Sequence, residues 1–236
     1  MAIDRLSHQL ISCLEQVSTV ESPILVATAQ LELAQQPLHV QISDFARNCT
    51  DGITRIAILP LFLIPGVHVM EDIPAEVEIA AQEIANSVPA QSYQRVELTV
   101  LPFLGEDPDF ANLFAQNRSC LPSQTIILAH GSRRAGGNAI VEHLASSVNL
   151  TAAYWSVAPS LTDRVAELVA TGATEIGILP YFLFAGGITD AIAQSVAQLR
   201  EQFPQVELIL GEPMGNSPEL VATIAKILAS SDTSPN

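Results

Sequence analysis

The chain writes one long segment twice, so any fold it adopts must use that segment in two places. LPLFLIPGVHVMEDIP at Leu59–Pro74 returns as LPYFLFAGGITDAIA at Leu179–Ala193. Each copy follows a Gly-x-x-x-Ile run, GITRIAIL from Gly52 and GATEIGIL from Gly172. Both read as a buried strand that breaks at a Pro-Gly or Gly-Gly turn and opens into a helix. Self-similarity of this length in 236 residues favours two similar lobes. The copies differ at one chemically decisive position. With Pro60 laid on Pro180, His68 falls on Ile188, so one turn offers a base or metal ligand and the other only hydrocarbon.

Helical spacing of Leu6, Leu10, Ile11, Leu14 and Val17 predicts a helix over Asp4–Val17. A short buried strand is expected at Pro23–Ala29, a helix at Leu38–Arg47, a strand at Ile53–Ile64 and a helix at Glu71–Ala85. Glu71 and Asp72 suit the positive end of that helix dipole. A strand at Val96–Leu104 and a helix at Asp109–Gln116 complete the first lobe, and Pro122-Ser123 reads as a linker. The second lobe runs strand Thr125–Ala129, loop HGSRRAGGN, helix Ala139–Val148, strand Thr151–Val157 and helix Ser160–Ala170 with Ser160 as cap. Strand Glu175–Phe184, helix Asp190–Gln202, strand Val206–Leu210 and helix Ser217–Leu228 follow. Strands alternating with helices imply parallel sheets flanked by helices, in two lobes spanning 1–121 and 122–236. Sites in such sheets lie at the carboxyl ends of the strands, where His68 and His130 both fall.

Laying the lobes on each other exposes a gap. Thr28, Glu32 and Leu38 match Thr151, Trp155 and Leu161, and the helix at Asp4–Val17 matches that at Ala139–Val148. Nothing ahead of the first helix matches the strand and loop TIILAHGSRRAGGN, so the first lobe is expected to begin one strand late. Losing an outer strand is tolerable; losing an interior one leaves backbone unpaired.

Composition removes several classes of function. Only 10 Lys+Arg against a net charge of −15 argues against nucleic acid, whose phosphates need clustered cations. No apolar run approaches the ~20 residues of a membrane helix, and no signal peptide is visible in MAIDRLSHQL. Cys13, Cys49 and Cys120 follow no ligand spacing, which points to a reducing compartment, the cytoplasm, and to no iron–sulfur cluster. The Gly136-Gly137 pair does not fit a nucleotide-binding loop, and no organic cofactor is expected.

LELA at Leu31–Ala34, LPLFLIPGVHVMEDIPAEV at Leu59–Val77, HGSRRAGGN at His130–Asn138 and LPYFLFAGGITDAIAQ at Leu179–Gln194, in this order, resemble the sirohydrochlorin chelatases among the class II tetrapyrrole chelatases. The resemblance covers nearly the whole chain. It implies two flavodoxin-like α/β lobes, fused or as a homodimer, with a cleft between them. It also implies a lyase that inserts Fe²⁺ or Co²⁺, as substrate, into sirohydrochlorin with release of two protons, serving sirohaem or cobalamin synthesis. A fused pair of lobes makes the monomer the default, with a homodimer as the alternative.

Such a reaction asks for a loosely held borderline ion, which suits imidazole and carboxylate better than thiolate. It also asks for a base titrating near neutrality, and imidazole is the natural one. The resemblance places a His after the first strand, a Glu after the second and a His after the third. In the first lobe the latter two fall on Glu32 and His68; the first would sit in the segment that lobe lacks. In the second lobe the first-strand His is His130, but its partners read as Trp155 and Ile188. Two arrangements stay open: an N-terminal extension supplies the missing histidine, or His130 completes a set with His68 and Glu32. Ser132, Arg133 and Arg134 are candidates for holding substrate carboxylates, Arg through bidentate forks. The plainer readings are that a strand-end His is structural, that Glu32 is a solvated cap, that loop 130–138 packs over its helix start, and that Tyr154 and Trp155 are core rather than a flat apolar wall for the macrocycle. His8, His39 and His143 show no ligand spacing. The competing class is a catalytically impaired paralogue that binds a tetrapyrrole or a metal without turnover.

Overall fold

Thr125–Ala129 is buried at every position, which is what a strand covered on both faces requires. In the computed structural model, which describes residues 2–17, 25–49, 55–87, 96–116, 121–215 and 217–231, this strand lies inside a four-stranded parallel sheet. We name the elements in chain order: α1 Ala2–Val17, α2 Leu38–Asn48, β1 Arg55–Ile58, α3 Ile73–Ser87, β2 Glu97–Val100, α4 Pro108–Gln116 and β3 Thr125–Ala129. The rest are α5 Ala139–Ser147, β4 Thr151–Tyr154, α6 Leu161–Ala170, β5 Glu175–Pro180, α7 Gly187–Gln202, β6 Glu207–Leu210 and α8 Pro218–Ser231.

The chain forms two compact units, one of Met1–Phe62, Gly66–Leu104 and Val221–Asn236, the other of Leu63–Pro65 and Gly105–Leu220. Each carries a parallel sheet flanked by helices, the α/β architecture expected. In the second unit the order is β4-β3-β5-β6. Helices α5, α6 and α7 make the crossovers that parallel strands require. Its core is apolar throughout: Ile126, Leu128, Val165, Ile176, Ile178, Ile192 and Val196 are all fully buried. Ser160 caps α6 as expected: its hydroxyl accepts from the Asp163 N–H at 3.2 Å, and the Asp163 carboxylate accepts the Ser160 N–H at 2.9 Å. Helix α4 is also counted in this unit, anchored by buried Phe110 and Phe114, whose rings lie edge-on to Tyr181 at 6.2 and 4.7 Å.

In the first unit β1 pairs with β2, and the register repeats that of β5 with β6. Arg55 faces Glu97 as Glu175 faces Glu207, and Ile56 faces Leu98 as Ile176 faces Leu208. The Leu101 N–H bonds to the Ile58 carbonyl at 2.9 Å as the Gly211 N–H does to Ile178 at 2.8 Å. The internal repeat therefore holds down to individual residue pairs.

Three expectations need correction. The strand predicted at Pro23–Ala29 does not form: residues 25–29 lie outside any ladder and Leu25 is exposed, while Pro23 and Ile24 fall outside the described residues. The second unit supplies the reason. With Thr28 laid on Thr151, residues 28–31 correspond to β4, which pairs with β3 alone, and within these 236 residues nothing of the first unit corresponds to β3. Without that interior strand, its neighbour has no ladder to join. The strands also stop earlier than predicted, β1 at Ile58 and β5 at Pro180. The apolar residues beyond them are buried or half-buried without being laddered; Tyr181 and Leu183 are covered, and the carbonyls of Phe182 and Leu183 accept the loop N–H groups of Met214 and Gly215. Hydrophobicity reports burial, and only partner geometry makes a strand. The helix expected from Glu71 starts three residues earlier, at His68, with a different winding.

Candidate active site

After β1 the chain runs through Pro65-Gly66 into a helical turn whose first five residues, His68–Asp72, wind as a π-helix, with the Ile73 N–H bonded to the His68 carbonyl. Single π turns opening a helix recur at functional sites because they re-aim side chains. Here the turn brings the Asp72 carboxylate to 2.7 Å from His68 Nδ1. A carboxylate only accepts, so Nδ1 carries a proton, and Nε2 is the nitrogen left to take an ion or a proton. That nitrogen lies 3.5 Å from Glu32 Oε1. The three side chains are 43%, 44% and 69% exposed for His68, Asp72 and Glu32, so the pair is reachable from solvent. Phe62 backs the imidazole, with ring centroids 6.1 Å apart.

Glu32 is held there by its loop. The Gln30 N–H donates to Gln41 Oε1 at 3.0 Å, and Gln41 Nε2 donates to the carbonyls of Gln30 and Gln36, each at 2.8 Å. One amide side chain thus clamps both ends of residues 30–36 to the first turn of α2. Leu33, next to Glu32, has φ +61° and a fully exposed side chain. A leucine in the left-handed region costs about 1–2 kcal/mol, a local strain that the clamp sustains.

The helix beginning at His68 is fixed to its neighbour by a second histidine. His39 Nδ1 lies 2.9 Å from Glu76 Oε2, the same oxygen accepts the His39 N–H at 2.9 Å, and His39 Nε2 is 3.7 Å from Glu83. The buried Ser43 hydroxyl donates to Glu83 at 2.9 Å. His39, first through its backbone N–H and then through its ring, holds the Glu76 carboxyl below the usual carboxylate value. This cluster joins α2 to α3 and steadies both carriers of the His68–Glu32 pair.

Of the residues singled out in the sequence, His68 and Glu32 are brought together. His130, Ser132, Arg133 and Arg134 belong to the second unit. The His130 Nδ1 proton is donated to the Gly131 carbonyl at 3.0 Å, leaving its Nε2 lone pair outward. Ser132 is occupied in shaping its loop: its N–H and carbonyl bond the Asn138 amide at 2.8 and 3.2 Å, and its hydroxyl accepts the Arg134 N–H at 3.2 Å. Arg133 and Arg134 are exposed. Among the described residues, no three His, Cys, Asp or Glu side chains form a group able to hold a metal ion. Asp72 escaped the sequence reading, which gave it only a helix-dipole role; its spacing of four from His68 was the available signal. No spacing could have exposed the His39–Glu76 pair, whose partners lie 37 positions apart.

A family model described as CbiX matches residues 5–119 and 124–231. Among solved structures, SirB from Bacillus subtilis with Fe³⁺ is 18% identical, with a TM-score of 0.72 over 99% of this chain and 92% of that one. The sirohydrochlorin chelatase SirB from Bacillus subtilis subspecies spizizenii, in complex with cobalt, is 17% identical, with a TM-score of 0.68 over 96% and 89%. DR2241 from Deinococcus radiodurans, a multi-domain protein with structural similarity to chelatases, is 17% identical, with a TM-score of 0.64 over 95% of this chain and 51% of that one. Identities this low establish a shared fold. No match to a curated protein is found. No helix among the described residues is long and apolar enough to cross a membrane.

Proposed function

The chain belongs to the CbiX family, and from that premise we propose that it is a sirohydrochlorin chelatase, a lyase that inserts Fe²⁺ or Co²⁺ into the macrocycle. The observation that carries this reading is His68 Nε2 facing Glu32 Oε1 at 3.5 Å while Asp72 holds Nδ1 at 2.7 Å. Imidazole and carboxylate together suit either ion and hold it weakly enough to release it. Metal insertion exchanges one divalent ion for two pyrrole protons, so two bases are needed as the ion leaves. In the proposed sequence the ion passes from His68 and Glu32 to the ring nitrogens. The freed Nε2 then takes one proton and the Glu32 carboxylate the other. The imidazolium so formed keeps the Asp72 carboxylate against its Nδ1, which compensates its charge until the protons pass to water. His130 remains a candidate further ligand, and Ser132, Arg133 and Arg134 remain candidates for the substrate carboxylates. The setting expected is the cytoplasm, with the protein a monomer.

A second reading has one observation in its favour: among the described residues the site is a pair of ligands backed by Asp72, without a third convergent ligand. A protein that binds the metal or the tetrapyrrole without turnover could work with that alone. Anaerobic metal insertion, followed by sirohydrochlorin absorbance with Fe²⁺ and Co²⁺ in parallel, separates the two. The chelatase reading expects turnover in the wild type, a loss of at least about 100-fold in His68→Ala and a smaller loss in Glu32→Ala. If the wild type shows no rate above the uncatalysed control, the enzyme reading is wrong. The His130→Ala rate then decides whether that histidine shares the work.

A further inference from the structure

Glu32 stands on a stretch of chain that has no ladder to hold it. Its counterpart in the repeat, Trp155, follows β4, which pairs with β3 from Ile126↔Thr151 to Ala129↔Tyr154, and the Trp155 N–H itself donates to the Ala129 carbonyl at 2.9 Å. Among the described residues of the first unit nothing corresponds to β3, and residues 25–36 join no ladder. A side-chain amide takes over. The Gln30 N–H donates to Gln41 Oε1 at 3.0 Å while Gln41 Nε2 donates to the Gln30 carbonyl at 2.8 Å, so one side chain meets both backbone groups of Gln30 as a neighbouring strand would. The bond from Nε2 to the Gln36 carbonyl, also 2.8 Å, closes the far side of the loop.

The amide is itself firmly placed. Gln41 lies in the first turn of α2, its N–H bonded to the Pro37 carbonyl at 3.2 Å, between Leu38 and Ile42. Those two pack with Ile73, Val77 and Ala80 of α3, the helix that continues from His68. The clamp thus refers Glu32 to the helix that carries its partner. Leu31 packs partly on the same cluster, but apolar contact has no direction, whereas hydrogen bonds do. Direction is needed here, because Leu33 is held at φ +61° with a fully exposed side chain whose packing offsets nothing. The second unit uses the same position differently. Gln41 aligns with Arg164, whose Nε donates to the Ala152 carbonyl of β4, the outer strand, at 3.0 Å. A guanidinium only donates, which suffices for a strand already laddered on β3; a stretch without a partner strand needs a group that donates and accepts.

We infer that Gln41 is a positioning residue for the metal pair: its amide stands in for a neighbouring strand and sets where the Glu32 carboxylate meets His68 Nε2. The inference rests on the metal-binding reading of His68 and Glu32 given above, and all its parts lie in the first unit.

Titration of the full-length protein with Co²⁺ alone, without sirohydrochlorin, tests it. Gln41→Met keeps the length and helix preference of the side chain and removes all three bonds. It is expected to weaken Co²⁺ binding about fivefold, less than the loss of a partner bonded to the ligand itself, since Gln41 acts through the backbone. Because it acts through Glu32, the same change costs nothing further when Glu32→Ala is already in place. A merely structural role weakens binding by one factor in both backgrounds. Leu33→Asn, which tolerates the left-handed region, should bring Gln41→Met back to within about twofold of wild type. Hydrogen exchange at the Gln30 amide should quicken in Gln41→Met, tying the loss to the clamp. If circular dichroism shows that Gln41→Met does not fold, Gln41→Asn, with the same groups on a side chain one methylene too short, carries the test with the same expectations. Unchanged Co²⁺ affinity, or an equal loss in both backgrounds, overturns the inference even if metal insertion proceeds normally. Equal binding by wild type and Glu32→Ala overturns it too, since Gln41 then has no ligand to place. The expected pattern alongside a wild type without turnover supports the clamp and removes the chelatase reading instead.

Discussion

Asp72 makes the tightest contact in the candidate site, and replacing it tests the geometry directly. Its carboxylate holds His68 Nδ1 at 2.7 Å, a charge-assisted bond of about twice the strength of a neutral one. Partners that orient a metal-binding imidazole in this way are worth about 10–100-fold in metal affinity. Both side chains are more than two-fifths exposed, so water replaces much of what is lost and the effect falls at the lower end. Asp72→Ala should therefore weaken Co²⁺ binding about tenfold, near 1.4 kcal/mol. Asp72→Asn, which keeps an acceptor but no charge, should cost about threefold. Titration by the visible absorption of bound Co²⁺ reads both, with His68→Ala as the baseline for loss of the ligand itself. Two results refute the reasoning. Affinity within twofold of wild type in Asp72→Ala means the imidazole needs no orienting partner. Affinity as poor as in His68→Ala means that Asp72 is itself a ligand.

Glu76→Gln should destabilise the protein at pH 7. The His39 contacts depress the folded-state value of Glu76, so their contribution is full above the unfolded value near 4.5 and vanishes as pH falls through the folded one. Thermal midpoints of the two proteins should converge as the pH is lowered from 7 through 4; a constant difference refutes the assignment. Gly105→Ala would drive a Cβ into the Leu63 backbone, just ahead of the turn that carries His68. A loss of about 1–3 kcal/mol in chemical denaturation is expected, and an unchanged midpoint would show that the backbones part readily. Ile176→Ala, fully buried in β5, should cost about 2–5 kcal/mol by the same measurement, and less than 1 would mean that the core collapses around the gap.

How far the sequence could be read depended on whether the relevant physics was local. Thr125–Ala129 was legible to the residue because an unbroken apolar run between turn signals has few other uses. The repeat was legible, but which strands pair was not; the structure shows β1 with β2 and β5 with β6 in matching register, as one pattern written twice allows. Residues 25–29 misled for the opposite reason. VATA has strand composition, but a strand also needs a partner, and the need for β3 becomes visible only with the sheet order. In the site, His68 and Glu32 stood out by motif, and the structure added what no motif contained: the π turn that delivers Asp72 and the Gln41 clamp that holds the glutamate. Ile188 was legible only as the absence of a ligand, and Trp155 also as a wall for the macrocycle or as core; in the structure both are part-exposed, while Tyr154 is buried.

The composition of the two units also bears on how the protein is made. The first unit has nearly all its residues by Leu104, yet it also contains α8 from Val221 onward, while α4, next in line, is counted with the second unit. A ribosome adding roughly 5–20 residues per second therefore reaches the last piece of the first unit on the order of ten seconds after the rest has been synthesised. Until then the unit lacks the apolar face of α8, where Ile224 and Ala225 become buried. The early half must wait for the late one, so a nascent chain stalled before Val221 presents an unfinished unit to chaperones and proteases, however complete its sequence repeat looks.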